Sequence, residues 1–240
     1  MIYGSGDTLE EAQRDHDENL TALLDRCREK GLKLNRDTLQ LNRKSTRYMG
    51  HELTSSGLAI DKRKQDAIRQ MPAPTDRKGV MRIIGLFTYV AKFVPNFSEK
   101  IAKLRELLSR DVEFKWNEDT HGVAFQKLKD LVCNPPVLQY FDATKPVVIQ
   151  CDASQNGMGG VLLQNGKVVS FISKSFSPVQ ISTYAQIEKE MAAIVFALER
   201  FHSFTYCNPN VEIFTDHKPL IAIHNKSLSF APKRLQRMLI

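Results

Sequence analysis

Residues 147–172 carry the reading that decides the fold. They run Val147-Val148-Ile149-Gln150-Cys151-Asp152, then Gly157-Met158-Gly159-Gly160-Val161-Leu162-Leu163-Gln164, then Asn165-Gly166, then Lys167-Val168-Val169-Ser170-Phe171-Ile172. β-branched residues crowd the first and last of these runs, and Asn-Gly supplies the two left-handed positions of a tight hairpin turn. Strands are therefore predicted over 147–152, 157–164 and 167–172. Downstream, Ile187, Met191, Ile194, Val195, Ala197 and Leu198 recur at helical spacing. Val211-Glu212-Ile213-Phe214-Thr215-Asp216 reads as another strand, and a further helix begins near Pro219. The order is β-β-β-α-β, and a strand–helix–strand crossover of this length makes the last strand parallel to an earlier one. The fold class is α/β with a mixed sheet.

This pattern aims three acids at one region. Asp152 and Asp216 end strands, where open α/β sheets place their sites, and Glu190 lies on the helix between them. Carboxylates that converge raise one another's pKa unless a cation compensates, and hard divalent cations take oxygen ligands. Any one of these acids alone is an ordinary strand end or solvated helix position. The three in this order favour metal-assisted phosphodiester chemistry, in which two cations need carboxylates from different elements. Glu188, two residues before Glu190, points to a different helix face. Glu190 is preferred because it borders the apolar face set by Ile187, Met191 and Ile194. Gly157, Gly159 and Gly160 match neither a Walker loop nor a dinucleotide fingerprint. Two readings stay open for them, a close approach to a nucleic-acid backbone and a strand bulge. His217 is read as a helix start beside the site.

Upstream the period changes to 3.6. Pro72-Ala73-Pro74 is a break, since each proline bars the preceding residue from helix. Thr75 is the expected cap of a helix through Val80, Ile83, Phe87 and Val94, ended by Pro95. A second helix is expected from Ser98 through Leu108, and a third holds Val123, Phe125, Leu128 and Val132 and stops at Asn134-Pro135-Pro136. That last break is the expected domain boundary. Tyr48-Met49-Gly50-His51-Glu52-Leu53 reads as strand leading to a turn at Ser55-Ser56-Gly57. At the start, Thr8 and Glu11 have capping-box spacing, and Ala12, Leu20, Leu23, Leu24 and Cys27 form a helical apolar stripe ended by Gly31.

Apolar residues make up 42% and charged residues 25% of the 240, an ordinary globular composition. No apolar run approaches the roughly 20 residues of a membrane span, and no membrane partner is expected. Four scattered cysteines (Cys27, Cys133, Cys151, Cys207) lack a C-x-x-C pair and read as reduced thiols of an intracellular protein, in cytoplasm or nucleus. The net charge of +7 fits a polyanionic partner. Lys62, Arg63, Lys64, Arg69, Arg77, Lys78, Arg82, Lys92, Lys100, Lys103, Arg105 and Arg110 concentrate that charge in the middle third.

With Asp152-Ala153-Ser154, Tyr184 followed by Glu188-Lys189-Glu190, and Thr215-Asp216-His217-Lys218-Pro219-Leu220 assembled, the chain resembles the ribonuclease H domain of gypsy-class LTR retrotransposon Pol polyproteins. Phe114-Lys115-Trp116 and Pro136-Val137-Leu138 resemble the stretch joining reverse transcriptase to that domain. Ile84-Gly85-Leu86, Tyr89 and Phe93-Val94-Pro95-Asn96-Phe97-Ser98 resemble the polymerase thumb, and Tyr48-Met49-Gly50-His51-Glu52-Leu53 the primer grip. The resemblance implies the end of a reverse transcriptase palm with a primer-grip-like hairpin over 1–70, and a helical thumb and connection over 71–136. A ribonuclease H-like domain with a mixed sheet, lacking its C-terminal part, would occupy 137–240.

By the same resemblance, the activity is endonucleolytic cleavage of RNA in RNA–DNA hybrids. Asp152, Glu190 and Asp216 would be catalytic and would hold two Mg²⁺, with Mn²⁺ the alternative. Met49, Gly50, His51, Arg82 and Lys92 would contact an RNA–DNA hybrid or template–primer duplex, and the missing polyprotein parts would be partners. Two departures temper this. The family's polymerase aspartates precede a segment like Met1-Ile2-Tyr3-Gly4, so polymerase activity is not expected, and no Asp or Glu follows Asp216 where the family carries a fourth acid. The alternative expectation is a non-catalytic nucleic-acid-binding remnant.

Overall fold

The computed structural model describes residues 2–41, 43–109, 113–224 and 232–239, so Arg110 of the basic run, Met1 and Ile240 lie outside the described residues. The chain forms two compact units, Met1–Arg43 and Lys44–Ile240. The first unit is α1, Leu9–Glu29, and a short 3₁₀ turn, Arg36–Thr38. The predicted capping box is present: the Thr8 hydroxyl accepts from Glu11 N at 3.2 Å and Thr8 N donates to Glu11 Oε2 at 3.1 Å. The apolar stripe is mostly open, since Leu23 and Leu24 are exposed and only Cys27 is buried.

The second unit opens with an antiparallel meander, β1 Ser45–Tyr48, β2 His51–Thr54 and β3 Gly57–Ile60, in the order β1-β2-β3. Met49 (φ +48°) and Gly50 (φ +69°) make the tight turn between β1 and β2, closed by the Tyr48–His51 pair. Asp61 then caps α2, Lys62–Gln70. The cap of α3, Arg77–Tyr89, is Asp76, whose Oδ1 accepts from Gly79 N at 2.6 Å; it displaces the expected Thr75. A carboxylate there also faces the positive end of the helix dipole. α3 ends six residues before Pro95, and a 3₁₀ turn, Ala91–Phe93, buries Val90, Phe93 and Val94.

The helix expected from Ser98 is two pieces, α4 Phe97–Lys100 and α5 Ala102–Glu106. Ile101 N donates to Phe97 O and Arg105 N to Ile101 O, so the chain tightens at buried Ile101 rather than stopping there. α6 spans Val123–Cys133 as predicted. Phe87, Phe93, Ile101, Leu104, Leu128 and Ile68 fill the core these helices share with β3.

The C-terminal half contains β4 Val147–Ala153, β5 Gly157–Gln164, β6 Lys167–Ser175, α7 Pro178–Thr183, α8 Gln186–Arg200, α9 His202–Thr205, β7 Val211–Phe214, α10 Lys218–His224 and α11 Lys233–Leu239. The sheet order is β6-β5-β4-β7, with β4 and β7 parallel and the other pairs antiparallel, as the sequence predicts. Asn165 (φ +51°) and Gly166 (φ +72°) form the hairpin turn. The bulge in β5 falls between Leu162 and Leu163, away from the glycine run. Val147, Ile149, Cys151 and Ala153 alternate onto one face, where Ala193, Phe196 and Ala197 of α8 cover them. Met191 of α8 joins Leu220 of α10 and Leu235 of α11 in a further cluster.

The connector before β4 is stitched on two sides. Leu58 and Leu138 exchange backbone hydrogen bonds at 2.7 and 2.9 Å, and Gln139 N donates to Val168 O at 2.7 Å. Gln164, fully buried, accepts from Asp142 N and donates to the carbonyls of Asp142 and Lys145. The Tyr140 hydroxyl reaches the carbonyls of Thr54 and Gly57. Gly57, at φ +137°, admits no Cβ, which would strike Leu138 O.

Candidate functional site

The parallel β4–β7 pair and the second turn of α8 bring three acids together. Asp152 lies on the penultimate residue of β4, and Asp216 two residues beyond the end of β7, which stops at Phe214 rather than reaching it. Glu190 enters from α8. One ligand oxygen of each lies within 4.8 Å of the others, the one such group among the described residues. Asp152 and Asp216 are exposed, whereas Glu190 is 4% exposed.

The electrostatics of Glu190 are unfavourable as the protein stands. Burial pushes its pKa up, and the charges of Asp152 and Asp216 push it further; a hydrogen bond from Gln186 and the nearby His217 oppose them. Gln186 Nε2 donates to Glu190 Oε1 at 2.7 Å and to Ala153 O at 2.9 Å, which ties the helix to the end of β4. Glu190 Oε2 is buried with no hydrogen-bond partner. An orphaned buried carboxylate oxygen among three hard oxygen donors fits a divalent cation.

Of the two candidate glutamates, Glu190 joins the cluster and Glu188 turns away. Glu188 Oε2 accepts from Ala185 N at 3.0 Å and from Arg234 Nη1 at 2.8 Å. Sequence reading missed two further groups here, Gln186 and Lys189. Buried Lys189 donates through Nζ to Gln155 O at 3.1 Å. The i, i+4 spacing of Gln186 and Glu190 was the available signal.

The glycine run meets protein. A Cβ on Gly159 would lie 2.7 Å from Asn96 Oδ1, and one on Gly157 3.0 Å from Lys174 O. Gly159 is thus where the loop before α4 seats against β5, beside the 2.8 Å bond from Ser98 N to Ser173 Oγ. Neither open reading of these glycines describes that packing.

A second cluster forms at the β1–β2 turn. His51 is buried, stacked on Tyr89 at 5.1 Å and tilted against Phe93 at 5.6 Å. The Tyr89 hydroxyl donates to Met49 O, and Lys64 Nζ lies 3.8 Å above the Tyr89 ring. Half-buried Lys92 stands beside Phe93, and burial lowers its pKa. The structure therefore gathers Met49, Gly50, His51 and Lys92, and adds Lys64 of the basic run and Tyr89 of the thumb-like segment, which the sequence did not place with them. Arg82 is exposed on α3, two turns before Tyr89 and so about 10 Å along the helix.

Residues 116–213 match the family model of the RNase H-like domain found in reverse transcriptase. The retrovirus-related Pol polyprotein from transposon 297 of Drosophila melanogaster is 32% identical over 211 residues, covering 88% of this chain and 20% of that polyprotein. The corresponding polyprotein from transposon gypsy of the same organism is 28% identical over 237 residues, covering 93% and 23%. Residues 116–213 are thus an RNase H-like domain of the reverse-transcriptase kind, and the chain's relatives are retrotransposon Pol polyproteins. A further relative, the transposon Tf2-3 polyprotein of Schizosaccharomyces pombe, is 27% identical over 234 residues, covering 94% and 17%. The chain thus spans less than a quarter of the length of these relatives. Its fold is shared with the foamy viral protease-reverse transcriptase solved with an RNA/DNA hybrid (TM-score 0.82, 22% identity, 98% of this chain and 32% of that one). A second structure of that viral protein, with double-stranded DNA, gives a TM-score of 0.83 at 22% identity, covering 98% and 42%. The ribonuclease H-like α/β fold is therefore established, and no helix among the described residues is long and apolar enough to cross a membrane.

Proposed function

We propose that this chain grips a nucleic-acid duplex and cleaves the RNA strand of an RNA–DNA hybrid, with divalent cations held by Asp152, Glu190 and Asp216. Mg²⁺ is the proposed ion and Mn²⁺ its alternative. One observation carries the reading: three carboxylates within 4.8 Å, one of them buried with an unpartnered oxygen. Asp152 would bridge two cations, Glu190 would hold one, and Asp216 would complete the other side. Cations in such a site stabilise the attacking and leaving oxygens of a phosphodiester displacement. Gln186 holds Glu190 through Oε1, while Oε2 is buried without a hydrogen-bond partner.

Residues 1–70 are assigned to the end of a polymerase palm, 71–136 to a thumb and connection, and 137–240 to the nuclease domain. The β1–β2 turn with Met49, Gly50 and His51, together with Lys92 and the exposed Arg82, is the proposed duplex contact. Such contacts go mainly to phosphates and position without reading sequence. The foamy viral protein of the same fold is bound to an RNA/DNA hybrid, which supports this substrate class.

The test is Mg²⁺-dependent cleavage of a labelled RNA–DNA hybrid. Cleavage should appear with the wild-type chain and fall to background with Asp152→Asn. Salt-sensitive hybrid binding without cleavage, indifferent to Asp152→Asn, would replace this reading with that of a non-catalytic binding remnant.

A further inference from the structure

We propose that Arg234 is a positioning residue, whose guanidinium clamps the first turn of α8 so that Glu190 meets Asp152 and Asp216. The inference rests on the cleavage reading above. Arg234 Nη1 donates to Glu188 Oε2 at 2.8 Å and to Thr183 O at 3.2 Å, and the guanidinium lies over the Tyr184 ring at 4.6 Å. One side chain of α11 thus touches the end of α7, the link to α8 and the first turn of α8.

The helix start needs that help. Ala185 stands at the N-cap of α8 and offers no side-chain acceptor, so Glu188 reaches back to its backbone N–H instead. The same carboxylate oxygen accepts from Arg234, and the Glu188 side chain is only 12% exposed. Two residues later, Glu190 is turned in beside two like charges. Gln186 and Lys189 tie one edge of this turn to Ala153 O and Gln155 O. Glu188 and Arg234 tie it to α11. Held by the first pair alone, the helix start could swing away from Asp152 and Asp216. An exposed ion pair by itself contributes little, but a planar guanidinium that also lies over an aromatic ring fixes a geometry. α11 stays docked without Arg234 because the neighbouring Leu235 is fully buried in the cluster with Met191.

The experiment measures Mg²⁺ binding by titration calorimetry on the full chain, together with amide hydrogen exchange over residues 186–190. Wild type is compared with Arg234→Ala, Arg234→Lys, Glu188→Gln and the Arg234→Ala/Glu188→Gln double variant. Each of Arg234→Ala and Glu188→Gln should weaken Mg²⁺ binding about tenfold and speed exchange in that turn. The double variant should be no worse than either, and Arg234→Lys should recover only part, because it lacks the planar group that lies over Tyr184. Unchanged Mg²⁺ binding in folded Arg234→Ala and Glu188→Gln, even with faster exchange, overturns the positioning role and leaves the cleavage reading standing. Failure of the wild type to bind Mg²⁺ in an Asp152-dependent way overturns the cleavage reading itself, and the positioning role with it.

Discussion

His51 shows how a buried titratable group shapes stability. Burial first, then the charges of Lys92 and Lys64, hold its pKa at about 4 against an ordinary 6.5. The unfolded chain takes up a proton between those values that the native ring resists. Stability linked to His51 is therefore full above pH 6.5 and lost as pH falls toward 4. Urea denaturation at pH 7 and pH 5 should show the loss, and His51→Phe, which keeps a ring between Tyr89 and Phe93, should flatten it. Asp152 predicts a trade-off of another kind. In EDTA, Asp152→Asn removes one of three repelling carboxylates and should stabilise the fold by about 0.5–1 kcal/mol, while removing cleavage. An unchanged or lowered unfolding free energy in EDTA would contradict the repulsion.

Among the elements, the segment before β4 depends on one amide. Gln164→Leu leaves Asp142 N without its acceptor in a fully buried place and takes one of two donors from each of the Asp142 and Lys145 carbonyls, and should cost about 2 kcal/mol in denaturant unfolding. Gly159→Ala should cost less, about 1 kcal/mol, because the Asn96 side chain can move aside. What the sequence made legible follows the range of the physics. Local signals sufficed for β4 to β7 and α8, because alternation, the Asn165-Gly166 turn and the apolar stripe from Ile187 to Leu198 are written within each segment. The convergence of Asp152, Glu190 and Asp216 could be expected because strand direction follows from the crossover. The engagement of Glu188 was not legible, since Arg234 lies 46 residues away. Nor was the seating of Gly159 on Asn96, which depends on how two segments pack. α2 was hidden because Lys62, Arg63, Lys64 and Gln65 give it almost no apolar stripe; Ile68 alone is buried.

At the scale of the molecule, a net charge of +7 sets the expected behaviour toward a polyanion. Duplex affinity should fall linearly with salt on logarithmic axes. Arg82→Ala and Lys92→Ala should each reduce that slope by about 1 if each contacts a phosphate, and a full slope in both variants would remove them from the interface. The stitched connector bears on inheritance. Leu138 satisfies the edge of β3 while Gln139 satisfies β6, and the fit requires Gly57 on one side and the Tyr140 hydroxyl on the other. Recombination between related elements that separates residues 54–58 from 137–142 would join halves that no longer match. Chimaeras crossed over upstream of Ser45 or downstream of Ser175 carry both sides of the stitch from one parent, and those are the breakpoints that should survive.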